Sequence, residues 1–219
     1  MTNLTCFWHP KLGYFDLSLD HICEQCTRSM GYPLEHLPVT GPRDFQVLEA
    51  IDRGYYSATY VAKQGVLGQK VCLKIIPRSL YELRGKDFLK ECQQHLAVAE
   101  GTQHLVMIRD AFDADVLFDG EAEPLPCHVA VLDYVEGRSL RTVLEQTTLS
   151  ATATAQIAVD LLRLLQELEN KQVFHNDLHS GNVLVQSLPP ELERGDAIDP
   201  FIRAVAVDLG SVLDNSRSD

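Results

Sequence analysis

Apolar and polar residues change period several times along the chain, and each change predicts an element. Phe45–Ile51 has strand-like content, an Asp52–Gly54 turn follows, and Tyr55–Val61 returns as an aromatic and β-branched run. Gly65 and Gly68 mark the next turn before Lys70–Ile76, so these three runs predict an antiparallel meander. The period then lengthens: Phe88, Leu89, Cys92, Leu96 and Val98 give the apolar side of a helix expected over Lys86–Glu100. His104–Phe112 and Cys127–Tyr134 read as two further strands, separated by an acidic turn over Asp113–Pro126. Ser139–Glu145 suits a short helix. Ser150 can cap a longer one, whose Ile157, Leu161, Leu164, Leu165 and Leu168 recur at helical spacing and predict a core-facing side. Gln186–Arg203 carries two consecutive prolines and several acids and reads as a surface loop.

Candidate chemistry concentrates where the long helix delivers the chain. Phe174–Val185 reads F-H-N-D-L-H-S-G-N-V-L-V, in which Asp177 is followed five residues later by Asn182. A short loop between apolar runs can hold both side chains at one cleft. Asp177 can then accept a proton or orient a hydroxyl, and the Asn182 carbonyl oxygen can meet a hard cation. Another acid, Asp208, ends the β-branched run from Ala204 just before Gly210. Two oxygen ligands, an acid and a magnesium nucleotide form a coherent site for phosphoryl transfer.

H-N-D-L-H-S-G-N and D-L-G together resemble the catalytic loop and metal-binding motif of the protein-kinase-like superfamily. Upstream, V-C-L-K at Val71–Lys74 is similar to the family's V-A-I-K, and Val129–Gly137 is similar to its hinge. Ile51–Tyr60 matches the nucleotide-covering loop but keeps only the central glycine, Gly54, with Asp52 and Ser57 at the other glycine positions. The resemblance covers residues 44–212 and implies the following roles. Lys74 holds the nucleotide phosphates and pairs with Glu91, with Glu100 as the rival. Asp177 orients the acceptor hydroxyl, while Asn182 and Asp208 hold magnesium. Leu132 gates the back pocket, the backbones of Asp133 and Val135 bind adenine, and Gly54, Cys72 and Leu184 also line the nucleotide. His175 is a structural histidine bonding backbone.

Two departures narrow the resemblance. Asn176 stands where regulated kinases carry arginine, so the loop lacks the cationic contact for a phosphorylated activation segment. His179 stands where serine/threonine kinases carry lysine, and D-L-H-S-G-N is closer to aminoglycoside and choline phosphotransferases. The family's later anchor and helices do not follow Asp208, so a truncated kinase domain with uncovered apolar surface on its long helix is expected.

The N-terminus adds a different chemistry. Cys6-x-x-His9 and Cys23-x-x-Cys26 have the paired spacing that points four donors at one tetrahedral ion, with His21 as the rival imidazole. A closed structural zinc site is expected, its metal supplying much of the module's folding free energy. Cys72, Cys92 and Cys127 stand singly in apolar patterns and read as buried thiols. Three prolines and two glycines between Gly31 and Pro42 read as a connection.

Composition changes this picture little. With 219 residues, 45% hydrophobic and 23% charged, the chain can build one ordinary domain and a small satellite. A net charge of −12 argues against broad nucleic-acid binding. No apolar run reaches a bilayer span and no signal pattern opens the chain, so a cytoplasmic protein is expected.

The expected fold is α+β: a bilobal protein-kinase-like fold with a five-stranded antiparallel N-lobe sheet plus helix, and an incomplete helical C-lobe. Residues 1–38 form the zinc-ribbon-like module and linker, 39–135 the N-lobe and 136–219 the partial C-lobe. The expected function is ATP- and magnesium-dependent phosphotransfer to protein serine or threonine, with the zinc module docking a protein partner. A small-molecule phosphotransferase and a non-catalytic pseudokinase scaffold are the alternatives.

Overall fold

The computed structural model describes residues 45–53, 57–79, 87–118, 123–175, 177–187, 202–207 and 213–214. Cys6, His9, Cys23 and Cys26, Gly54, Asn176 and Asp208 lie outside the described residues, so the expectations placed on them do too. The chain divides into two compact units. One holds the described residues up to Lys90 together with Arg109–Tyr134, and the other holds Glu91–Ile108 and the described residues from Val135 on.

The first unit is built on a five-stranded sheet of β1 (Phe45–Arg53), β2 (Ala58–Gln64), β3 (Gln69–Pro77), β4 (Ile108–Val116) and β5 (Leu125–Asp133), in the order β1-β2-β3-β5-β4. The β1–β2, β2–β3 and β3–β5 ladders are antiparallel, as the short turns require. Gly65 and Gly68 take φ of 60° and 62°, the left-handed region that glycine enters without steric cost, and the Gly68 N–H closes the turn on the Gly65 carbonyl. Alternation then sorts the faces. Ala58, Tyr60 and Ala62 lie opposite Ile75, Leu73 and Val71, all buried.

β1 runs on through Asp52 and Arg53, β5 begins at Leu125 and β9 at Ile202, and β4 departs from expectation at both ends. β4 begins at Ile108 rather than His104, because His104 and Val106 belong to the second unit, where their backbone bonds to Ala206. It also runs on through Asp113 and Asp115, where an acidic turn is expected. Both acids occupy exposed alternate positions of the strand, so their polarity marks a solvent face rather than a turn.

Helix α1 (Phe88–Ala99) starts after Asp87, whose carboxylate accepts the Lys90 N–H. Phe88 stacks on His128 with ring centroids 4.5 Å apart, and His128 Nδ1 is 2.6 Å from Asp113. The expected apolar side of α1 is only partly the buried one. Phe88, Cys92, Val98 and Ala99 are buried, whereas Leu89 and Leu96 are exposed and the polar His95 takes an inner position, bonded to the Val106 carbonyl.

The second unit continues with β6 (Arg138–Ser139), α2 (Leu140–Gln146), α3 (Ala151–Asn170), β7 (Val173–Phe174), β8 (Val183–Ser187), β9 (Ile202–Ala206) and β10 (Leu213–Asp214). Ser139 and Ser150 cap α2 and α3 through N–H bonds from Thr142 and Ala153. On α3 the inner side is Ile157, Asp160, Leu164 and Leu168; Leu165, expected inside, is exposed, as are Val159 and Leu162. Val98, Ala99, Leu105, Leu164, Leu168 and Ala206 form one core. Val143, Ile157, Val183, Val185, Ile202 and Ala204 form another. At the end of α3, Lys171 Nζ donates to the carbonyls of Ala97, Val98 and Glu100 at the C-terminus of α1, and the Val98 carbonyl also accepts the Thr102 hydroxyl. No described helix is long and apolar enough to cross a membrane.

Gly137 lets the chain pass close to β8: a Cβ there would stand 2.7 Å from the Val185 carbonyl oxygen. Because the obstacle is backbone, Gly137→Ala is expected to cost about 1–3 kcal/mol of unfolding free energy. Urea denaturation checks this, and a midpoint equal to the wild type would contradict the close approach.

Candidate active site

The loop from His175 to Asn182 is tied by its own short bonds. The Asp177 N–H reaches the His175 carbonyl at 2.7 Å, and the Asn182 N–H reaches that of His179 at 2.9 Å. The Asn182 side-chain amide nitrogen donates to the Asp177 carbonyl oxygen at 3.1 Å and to its carboxylate at 3.3 Å. The two residues singled out by sequence are therefore brought together. With its nitrogen committed, Asn182 keeps its amide oxygen, the atom that a hard cation takes. His175, at the start of the loop, is buried.

His179 sits between the two with its proton placed by its neighbour. The Gly181 N–H donates to His179 Nδ1 at 3.0 Å, so in the neutral ring the proton is on Nε2, which lies 3.9 Å from Asp177 Oδ1. Gly181 is required for this approach, because a Cβ there would come within 2.8 Å of the imidazole. The Arg141 N–H bonds the Ser180 carbonyl at 2.9 Å and fixes the loop's far side to α2.

β8 carries the loop into an antiparallel pair with β9, Val183 opposite Ala206. One step beyond, the Val207 N–H donates to the Asn182 carbonyl at 3.0 Å. The residue before Asp208 is thus bonded to Asn182. Leu184, half-buried on β8, stands opposite Ser139 and Val205. Val135 is half-buried just after β5, and Glu91 is half-buried in the first turn of α1.

In the sheet unit, Lys74 lies mid-strand on β3, half-buried, between Thr59 of β2 and Ala130 of β5. Two residues earlier, Cys72 shares its face, between Val61 and Leu132. Val61, Ala130 and Leu132 are all buried, so Lys74 is the ammonium at the edge of an apolar surface. Asp133 closes β5 and is gripped by Arg109 through Nε and Nη2 at 2.5 and 2.8 Å. The Arg109 guanidinium is held above its ordinary range, first by that hydrogen bond and then by the Asp133 charge.

Burial pushes the Cys72 thiol up to about 11. Cys127 is raised too, by burial first and then by the Asp115 charge. Cys72 is therefore expected to alkylate slowly at neutral pH, its iodoacetamide labelling rate rising about tenfold per pH unit between about 8 and 10 as the thiolate forms. A rate already at plateau by pH 8, followed by peptide mass spectrometry, would contradict its burial.

Sequence reasoning missed two buried polar residues of the second unit, Asp160 and His104, which are 2% and 7% exposed. The signal was present: Asp160 falls three residues after Ile157 and four before Leu164, on the apolar side of its own helix. Among the described residues no group of three or more His, Cys, Asp or Glu could hold a metal.

Comparison with known proteins agrees with this layout. The protein kinase domain family matches residues 45–193, more than half of the chain. Serine/threonine-protein kinase 36 of Pongo abelii is 27% identical over 143 residues, which cover 64% of this chain and 10% of that protein. Serine/threonine-protein kinase PksC of Streptomyces coelicolor is 28% identical over 149 residues, 64% of this chain and 25% of its own length. Dual specificity testis-specific protein kinase 1 of Homo sapiens is 30% identical over 144 residues, 65% of this chain and 21% of its own. The chain thus spans a quarter or less of these relatives. With the sheet order, the mid-strand lysine and the Asp177–Asn182 loop in one sequence, and that family match across them, the chain belongs to the protein kinase domain family.

Proposed function

We propose that the chain transfers the γ-phosphoryl group of ATP to a serine or threonine hydroxyl of a protein. The observation that carries this reading is the Asn182 amide donating to both the carbonyl and the carboxylate of Asp177. It holds an acid in place without neutralising it and leaves an oxygen for a cation. Asp177 orients the acceptor hydroxyl and takes its proton late in the transfer. Lys74, paired with Glu91, holds the phosphates. The backbones of Asp133 and Val135 receive the adenine, while Gly54, Cys72 and Leu184 line the nucleotide. Asn182 and Asp208 hold magnesium, which when bound neutralises charge on the phosphate oxygens. A structural zinc held by Cys6, His9, Cys23 and Cys26 belongs to the same proposal, as a docking or stabilising module.

The three relatives named above are called protein kinases, which supports a protein acceptor. A small-molecule acceptor is the second reading, favoured by His179 at the side of Asp177 in place of a lysine. Calorimetry of ATP with and without magnesium, followed by phosphate transfer to generic protein substrates and to a panel of amino-sugars and alcohols, tests both. Transfer to protein alone supports the first reading, and transfer to the small alcohols alone replaces it with the second. No magnesium-dependent ATP binding by a folded, zinc-loaded sample would overturn both in favour of a non-catalytic scaffold.

A further inference from the structure

Among the described residues β9 lies at the edge of the three-stranded sheet β6-β8-β9, where one row of its backbone groups meets no further strand of that sheet. At Ala204 that row is met by two buried side chains from elsewhere in the chain. Asp160 Oδ2 accepts the Ala204 N–H at 2.9 Å, and His104 Nδ1 donates to the Ala204 carbonyl at 3.0 Å. A carbonyl can only accept, so the proton of the neutral imidazole is on Nδ1. Gln156 Nε2 donates to Asp160 Oδ1 at 2.9 Å, which leaves both carboxylate oxygens occupied. Two residues along, the backbone of His104 and Val106 takes both polar groups of Ala206. The outer edge of β9 is therefore gripped at alternate residues, by side chains first and by main chain second.

The inner edge of the same strand sets the position of Asn182. Val183 pairs with Ala206, and Val207 bonds the Asn182 carbonyl at 3.0 Å. Any slip of β9 along β8 moves Val207, and with it the next residue, relative to Asn182. One residue of slip is about 3.3 Å, and it exchanges inner for outer faces. Magnesium demands near-ideal octahedral geometry at about 2.0–2.1 Å, so a far smaller displacement already spoils a ligand pair.

Resting on the phosphotransfer reading, we infer that Asp160 and His104 are positioning residues for the metal-binding pair Asn182 and Asp208. They act through Ala204, by fixing the register of β9 against β8. Neither touches nucleotide or metal. Ala204 is fully buried, so a lost partner leaves its N–H or carbonyl unpaired and the cost falls first on this edge of β9.

The test uses the full chain with Asp160→Leu and His104→Phe, which remove the acceptor and the donor. Asp160→Asn keeps an oxygen for the Ala204 N–H and serves as the rescue. Backbone hydrogen exchange is read at residues 204–207 and in β1–β3, and calorimetry compares ATP with magnesium against adenosine without metal. Both disrupting variants are expected to speed exchange at 204–207 while β1–β3 keep wild-type protection. They are also expected to weaken the magnesium-dependent part of ATP binding about 10–100-fold, with adenosine binding unchanged. Asp160→Asn should return both readouts toward the wild type. Faster exchange with unaltered magnesium dependence would overturn the inference, and so would a uniform loss of protection that the asparagine variant shares. Absence of magnesium-dependent ATP binding in the wild type itself would remove the phosphotransfer reading and this one together, an outcome distinct from failure in the variants alone.

Discussion

Asp177→Asn is expected to lower the rate of phosphoryl transfer about 10²–10⁴-fold while leaving magnesium-ATP affinity and thermal stability at wild-type values. The substitution removes the proton acceptor and little else. The Asn182 amide still meets the residue 177 backbone carbonyl at 3.1 Å, and an amide oxygen can replace the carboxylate in the 3.3 Å contact. The side chain is more than half exposed, so folding stability should move by no more than about 0.5 kcal/mol. Steady-state kinetics with saturating nucleotide, together with a thermal melt, separates these effects. Activity within tenfold of the wild type would show that the acid does not act on the hydroxyl.

The largest stability loss is expected at Leu164. It is fully buried, and its cluster joins the end of α1, the inner side of α3 and the end of β9 through Val98, Ala99, Leu105, Leu168 and Ala206. Leu164→Ala deletes atoms that neighbours from three elements cannot follow inward together, so a cavity remains. The cost is about 2–5 kcal/mol. A domain of this size has a total stability of about 5–15 kcal/mol, so the variant should be marginal at elevated temperature. Leu162→Ala, two residues away and 64% exposed, is expected to stay within about 0.5 kcal/mol. Chemical denaturation of the pair checks both. Similar midpoints would mean that the inner side of α3 has been misassigned.

These two residues show what the sequence carries and what it does not. The strands around Lys74, the serine cap at Ser150, and the meeting of Asp177 with Asn182 were legible because each depends on local chemistry or on spacing within a few residues. The inner sides of the helices were legible only in part. Leu89, Leu96 and Leu165 fit the helical period as well as their buried neighbours do, and only the elements packed against them decide which are covered. The start of β4 was hidden for a similar reason, because His104 and Val106 find their partner at Ala206, a hundred residues on. Asp160 was the hardest to read. A carboxylate on an apolar side looks like an interruption until the Ala204 N–H that donates to it is seen.

Lys171 gives the second unit a mechanical property. One ammonium, at the residue that ends α3, holds three carbonyls at the far end of α1. The chain then turns at Gln172, a non-glycine residue at φ 56°, and enters β7 and the loop of Asp177. Sliding α1 along its axis must stretch those three bonds or carry residue 171 with it. Travel of the helix that bears Glu91 is therefore geared to the backbone feeding Asp177, through the Lys171 side chain and the core that Val98 and Ala99 share with Leu164 and Leu168.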